Sequence, residues 1–139
     1  MIPVDQEHLH DEMSFKCGDC YRACVASVLE MPIAEVPHFA ELHGDNMFEE
    51  ADKWFAQRNI YSVRLFIKDY SEDRIFLWGR GAHCIVSGLS PRGKNIHHAI
   101  VAFASGYNID MVHDPHPDRT GIVGSSRWVQ ILYKDGVGL

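Results

Sequence analysis

The stretch that decides the reading of this chain runs Cys17-Gly18-Asp19-Cys20-Tyr21-Arg22-Ala23-Cys24-Val25-Ala26-Ser27-Val28-Leu29-Glu30-Met31. From Asp19 to Met31 it has helical spacing, with Cys20, Ala23, Cys24, Ser27, Val28 and Met31 on one side. Asp19 is a residue type suited to an N-cap, and Pro32 stops the helix. Cys20 therefore falls in the first turn, where unpaired backbone N–H groups and the positive end of the helix dipole favour an anion. That placement is a physical route to a depressed thiolate pKa and a reactive nucleophile. The same N–H groups are able to hold an oxyanion. Two other readings of Cys20 stand beside this one. It is a buried structural thiol, or it pairs with Cys17 as a CxxC for zinc or redox chemistry. Zinc normally needs a second such pair, which Cys24 and Cys84 do not form, although histidines could complete a site. A thioredoxin-type CxxC follows an apolar strand, and Glu12 to Lys16 is not one.

Outward from this helix the pattern changes twice. The first sixteen residues are polar and mixed and predict an irregular arm. After a short turn, Ile33 to Val36, a second amphipathic helix fits Asn46 to Arg58, with Phe48, Ala51, Trp54 and Phe55 on its apolar side. From Ile60 the residues become β-branched and aromatic. Strands are predicted at Ile60–Ile67, Ala82–Ser87, His98–Ala104, Tyr107–Val112 and Arg127–Tyr133. The turn compositions Ser90 to Asn95 and Ser105-Gly106 make the middle strands consecutive hairpins. Lys68 to Arg80 fits neither helix nor strand clearly. Helices first and an antiparallel sheet afterwards is the α+β pattern, in one domain spanning 1–139.

A second group of residues joins the first. His98 starts the apolar strand His98-Ala99-Ile100-Val101-Ala102-Phe103, and the next strand runs into Asp114-Pro115. In an antiparallel hairpin the start of one strand lies beside the end of the next, so Asp114 is expected to reach the His98 ring. Cys20, His98 and Asp114 then form a nucleophile, a base and a group that orients the base. Alternation along the strand sends the neighbouring His97 to the other face. His113, His116 and Asp118 flank Asp114; a polar loop on the substrate side explains them better than a metal cluster. Trp54, Phe55, Trp78 and Trp128 are expected in the core or the cleft wall.

The segment Cys17-Gly18-Asp19-Cys20-Tyr21 resembles the Cys-Gly-Ser/Ala-Cys-Trp/Tyr signature around the papain nucleophile, with Asp19 as the one departure. The chain order is also similar to the papain-like superfamily, and closest to the compact C39-like peptidases that process bacteriocin leaders. In those, the third residue is typically an Asp followed by Pro. The interval from Cys20 to His98 falls well short of the roughly 130 residues of full papain-like enzymes, so their insertions are absent. The resemblance covers about Gln6 to Pro115. It implies a papain-like α+β fold, with Cys20 on one cleft wall and His98 and Asp114 on the other. It also implies a cysteine hydrolase acting on a peptide, isopeptide or amide bond of a peptide or protein substrate, without a cofactor. Gln6, the one glutamine before Cys20, would complete the oxyanion hole if Glu7 to Lys16 looped out. Alternatives from other classes are a catalytically idle binding module on the same fold and a Cys/His zinc protein.

Bulk properties narrow the partners. Of 139 residues 46% are hydrophobic and 23% charged, ordinary for a soluble domain that needs no disulfides. The net charge of −6 argues against nucleic acid. No stretch approaches the ~20 apolar residues of a membrane helix, and the start has no positive, apolar leader pattern. Four cysteines in such a chain are expected as thiols, and the protein is expected in the cytoplasm.

Overall fold

The computed structural model describes residues 1–66, 77–106 and 108–139, with backbone alone at 77–80 and 106. The helices are α1 (Cys20–Leu29), α2 (Phe39–His43) and α3 (Met47–Ala56), and the strands β1 (Ile60–Phe66), β2 (Leu77–Leu89), β3 (His97–Gly106), β4 (Asn108–His113), β5 (Val123–Lys134) and β6 (Val137–Gly138). This is the α+β arrangement that the sequence pattern predicts. The predicted ends at Ile67 and Tyr107, most of Lys68 to Arg80 and the side chain of Trp78 lie outside the described residues.

Helix α1 ends sooner than Pro32 requires. Glu30 takes a left-handed conformation (φ 54°), and chain reversal there lets Glu30 N–H and Met31 N–H close on Ser27 and Ala26. Helix α2, only five residues long, is too short to leave a periodic trace in the sequence.

The sheet is antiparallel throughout, in the order β1-β5-β2-β3-β4, with β6 on β5. The hairpins β2-β3 and β3-β4 are the consecutive ones expected from the turns, whereas β5 inserts between β1 and β2. One sheet face carries Ile60, Ile85, Ala99, Val101 and Leu132, which pack with Tyr21, Val25 and Val28 of α1 and Ala51 and Phe55 of α3. The opposite face carries a second cluster around Cys84, Val86, Ile100, Ala102, Val129 and Ile131. Strands buried on both faces read as continuous apolar runs, which is why β3 shows no polar alternation. Inside the first cluster Tyr21 donates its hydroxyl to Gln130 Oε1 at 2.9 Å, tying α1 to β5.

The arm before α1 is irregular, as predicted, yet firmly docked. Val4 N–H donates to Ser27 Oγ (2.9 Å), Gln6 N–H to the Pro115 carbonyl (3.1 Å) and His8 N–H to Asp19 Oδ1 (2.8 Å). Between these anchors Asp11 and Lys16 pair as an isolated bridge, so residues 11–16 project as an exposed loop. The arm crosses Gly18 so closely that a Cβ there would meet His10 N at 2.9 Å. No helix among the described residues is long and apolar enough to cross a membrane.

Candidate active site

Cys20 occupies the first position of α1, with Asp19 before it. Asp19 differs from the capping expectation: it makes no side-chain cap. Its buried carboxylate instead accepts from His8 N–H and from Arg22, anchoring the arm. The first N–H groups of α1 are thereby left without a side-chain acceptor from Asp19. The Cys20 thiol is half-buried and sits against the start of β3, where Ala99 N–H and the Tyr21 N–H face the sulfur and favour the thiolate. Burial outweighs them and pushes the thiol up to about 11. The expectation of a depressed pKa is therefore corrected: at rest Cys20 is a protonated thiol.

His98 and Asp114 meet as the hairpin argument requires. β3 and β4 pair Val101 with His113, so the residue after His113 lies beside the beginning of β3. His98 Nε2 is 2.6 Å from Asp114 Oδ1, and both side chains are buried. The Asp114 carboxylate accepts three further hydrogen bonds. His116 N–H reaches Oδ1 at 2.8 Å, and Gly121 N–H (2.7 Å) and Arg92 Nη2 (2.9 Å) reach Oδ2. Gly121 has φ +71°, a left-handed turn that suits glycine. Burial raises the Asp114 carboxyl, but the hydrogen bonds from His98, His116 and Gly121 prevail and hold it at about 2. Burial lowers the His98 pKa, the Asp114 contacts offset part of this, and Arg92 and His116 act with burial. An ionised carboxylate only accepts, so Nε2 carries the proton of the neutral ring and Nδ1 keeps a lone pair.

Cys20 and His98 line the same cleft of about 1220 Å³, whose other walls include Tyr21, Met47, Phe48 and Trp128. A smaller recess of about 220 Å³ is bordered by the same two residues together with Gln6, Leu9, Arg92 and His116. No direct hydrogen bond joins the sulfur to the ring in this resting arrangement. Gln6 reaches the site because residues 11–16 loop out. Its Nε2 donates to the His8 carbonyl at 2.7 Å, and its buried Oε1 has no partner among the described residues.

Other residues fall differently from expectation. His97 is exposed and also borders both the cleft and the recess, since it sits with His98 at the mouth of β3, where alternation no longer separates the two. His113 does not face a substrate-side loop. It is buried and bonds the Val4 carbonyl at 2.9 Å, beside Asp5. Phe55 is in the core, Trp54 packs on Phe39 and Phe55, and Trp128 walls the cleft. All four cysteines are free thiols. Among the described residues, the trio of His, Cys, Asp or Glu whose ligating atoms lie within 4.8 Å of one another is Glu7, His8 and Asp19. Cys17 and Cys20 stand outside it. The sequence reading missed Arg92, Gly121 and the His116 N–H as the groups that hold Asp114; the sole signal was a basic residue inside a turn.

Set against protein-family models, curated proteins and solved structures, the chain matches none of them. What the site does must therefore be argued from its chemistry.

Proposed function

We propose that the chain is a cysteine hydrolase of papain-like type, acting on a peptide, isopeptide or amide bond through Cys20, His98 and Asp114. The observation that carries this reading is the buried His98–Asp114 pair opening onto the cleft that Cys20 lines. Such a pair fixes the ring's tautomer and leaves Nδ1 free as a base.

With Cys20 protonated at rest, the thiol is activated during attack, not beforehand. His98 Nδ1 takes the thiol proton as sulfur bonds to the acyl carbon, and Asp114 supports the imidazolium. The oxyanion is held by the N–H at the start of α1 and by the second proton of the Gln6 amide. Collapse breaks the carbon–nitrogen bond, His98 gives its proton to the leaving amine, and a thioester remains. Water, deprotonated by His98, then releases the acid and restores the thiol.

A second reading, an idle binding module, draws on the protonated thiol and its lack of a hydrogen bond to His98. One experiment separates the two. Wild type and Cys20→Ala are incubated with a mixed peptide library, products are followed by mass spectrometry, and melting temperature is recorded. Hydrolysis in wild type that Cys20→Ala abolishes at unchanged melting temperature supports the enzyme. Identical inactivity of both proteins supports the binding module.

A further inference from the structure

Arg92 lies in the turn between β2 and β3, away from the residues that perform bond-making in the reading above. The turn is closed by Ser90 N–H on the Ile96 carbonyl (2.8 Å) and by Arg92 N–H on Ser90 Oγ (3.2 Å). From it the guanidinium reaches two carboxylates. Nε donates to Asp118 Oδ2 at 2.9 Å, and Asp118 is itself held by Thr120 N–H (3.0 Å) and Thr120 Oγ1 (2.9 Å). Nη2 continues inward to Asp114 Oδ2 at 2.9 Å, where the carboxylate side chain is wholly buried.

Pinning the turn to the surface would need only the Arg92–Asp118 pair. The inward contact does something else. It occupies, with Gly121 N–H, the carboxylate oxygen that does not face His98, so the other oxygen is reserved for Nε2. It also places a fixed positive charge on the far side of a buried negative one, which removes the incentive for His98 to hold a second proton. We propose that Arg92 is a positioning residue, acting through Asp114 to keep the His98 ring neutral with its Nδ1 lone pair available. The role matters for catalysis only if the hydrolase reading holds, but the charge arrangement is testable without it.

The titratable and charged groups around His98 are Cys20 from α1, His10 and Cys17 from the arm, Asp114 and His116 from the loop after β4, Arg92 from the turn before β3, and His97 on its own strand. The test is a nitrogen-15 NMR titration of His98 in the full-length protein, with the signal assigned through His98→Ala. Arg92→Gln is expected to raise the proton affinity of His98 by about tenfold, the effect of removing one nearby charge in a partly shielded site. Arg92→Lys, which keeps the charge, is expected to titrate near wild type. Asp118→Asn removes a negative charge from beyond the guanidinium and is expected to move His98 in the opposite direction. An unmoved His98 in Arg92→Gln, or an equal rise in Arg92→Lys, would overturn the proposal. If Arg92→Gln does not fold, the exposed Asp118→Asn decides alone, since an unmoved or raised His98 there is equally fatal. Hydrolysis is not measured, so failure of the catalytic reading leaves this outcome readable.

Discussion

His98 Nε2 and Asp114 Oδ1 stand 2.6 Å apart, and every other hydrogen bond that Asp114 accepts also comes from a donor. Four donors on one carboxylate leave no place for an amide NH2. Asp114→Asn therefore turns a donor against Gly121 and Arg92 or against His98, and an Asn that faces His98 with nitrogen selects the wrong tautomer. If the proposed hydrolysis holds, this substitution is expected to cost about 10³–10⁴-fold in kcat. Asp114→Ala strands the part-buried Arg92 guanidinium and His116 N–H and the buried Gly121 N–H, at about 3–5 kcal/mol. Denaturant melts of both variants, with kcat for the first, check this; an alanine variant as stable as wild type would show that the cluster adds nothing to folding.

Stability should fall on both sides of neutrality. His98 and Asp114 have folded pKa values below their unfolded ones, so the unfolded chain binds their protons more readily. Their stabilisation is complete above about 6.5 and about 3.9 respectively and is lost as the pH drops below each. Asp114, held at about 2, keeps losing it down to that pH. His83 and His97, lowered chiefly by burial, act in the same direction as His98. Burial raises Cys20 to about 11 and Cys84 to about 12, so their contribution is present below about 8.5 and is lost as pH climbs towards those values. A melting temperature flat from pH 4 to 11 would contradict this balance.

The reactivity of Cys20 should carry the signature of His98. Brief iodoacetamide labelling followed by peptide mapping, from pH 5 to 9, is expected to give a Cys20 rate with an inflection below the ordinary imidazole range of about 6.5. His98→Ala should abolish that inflection and leave a rate that rises with pH alone. If wild type itself lacks the inflection, His98 takes no proton from this sulfur.

Gln6→Ala isolates the oxyanion role proposed for its amide. Among the described residues the side chain bonds the His8 carbonyl of the arm alone, so melting temperature should hold while kcat falls by about 10²–10³-fold. A kcat within a factor of two of wild type would leave the amide a strut of the arm.

Tyr21→Phe tests the tie between helix and sheet. Gln130 is buried, its Nε2 has no partner among the described residues, and the tyrosine hydroxyl is the donor on its oxygen. Loss of that donor should cost about 1–3 kcal/mol. A urea midpoint identical to wild type would mean that Gln130 finds another partner.

Much of this was legible in the sequence because it is local. Helical spacing located α1, apolar runs located β3 and β5, and hairpin geometry joined His98 to Asp114. The order of the strands was not legible, since nothing in Val123–Lys134 says that it pairs with both β1 and β2. Asp19 misled by type: an acidic residue before a helix suggests a cap, and here a distant backbone N–H at His8 competed for the carboxylate and won. The thiol's pKa misled for a related reason. Helix position is written in the sequence, whereas the burial that opposes it arises only when the chain packs. Arg92 was invisible because its partners, Asp114 and Asp118, become neighbours only when two loops close on one another.

The insertion of β5 between β1 and β2 sets the order in which the molecule can be assembled. The hairpins β2-β3 and β3-β4 need only neighbouring chain, but β1 has no sheet partner until Val123–Lys134 arrives. Pairings this distant in sequence are slow to form. On a ribosome, α1 and β1 therefore emerge and wait while β2, β3 and β4 are made. Trp128, carried on that last long strand, closes the cleft wall against Phe48 and Tyr21. Its fluorescence would report the final docking step, the moment at which a cleft first exists.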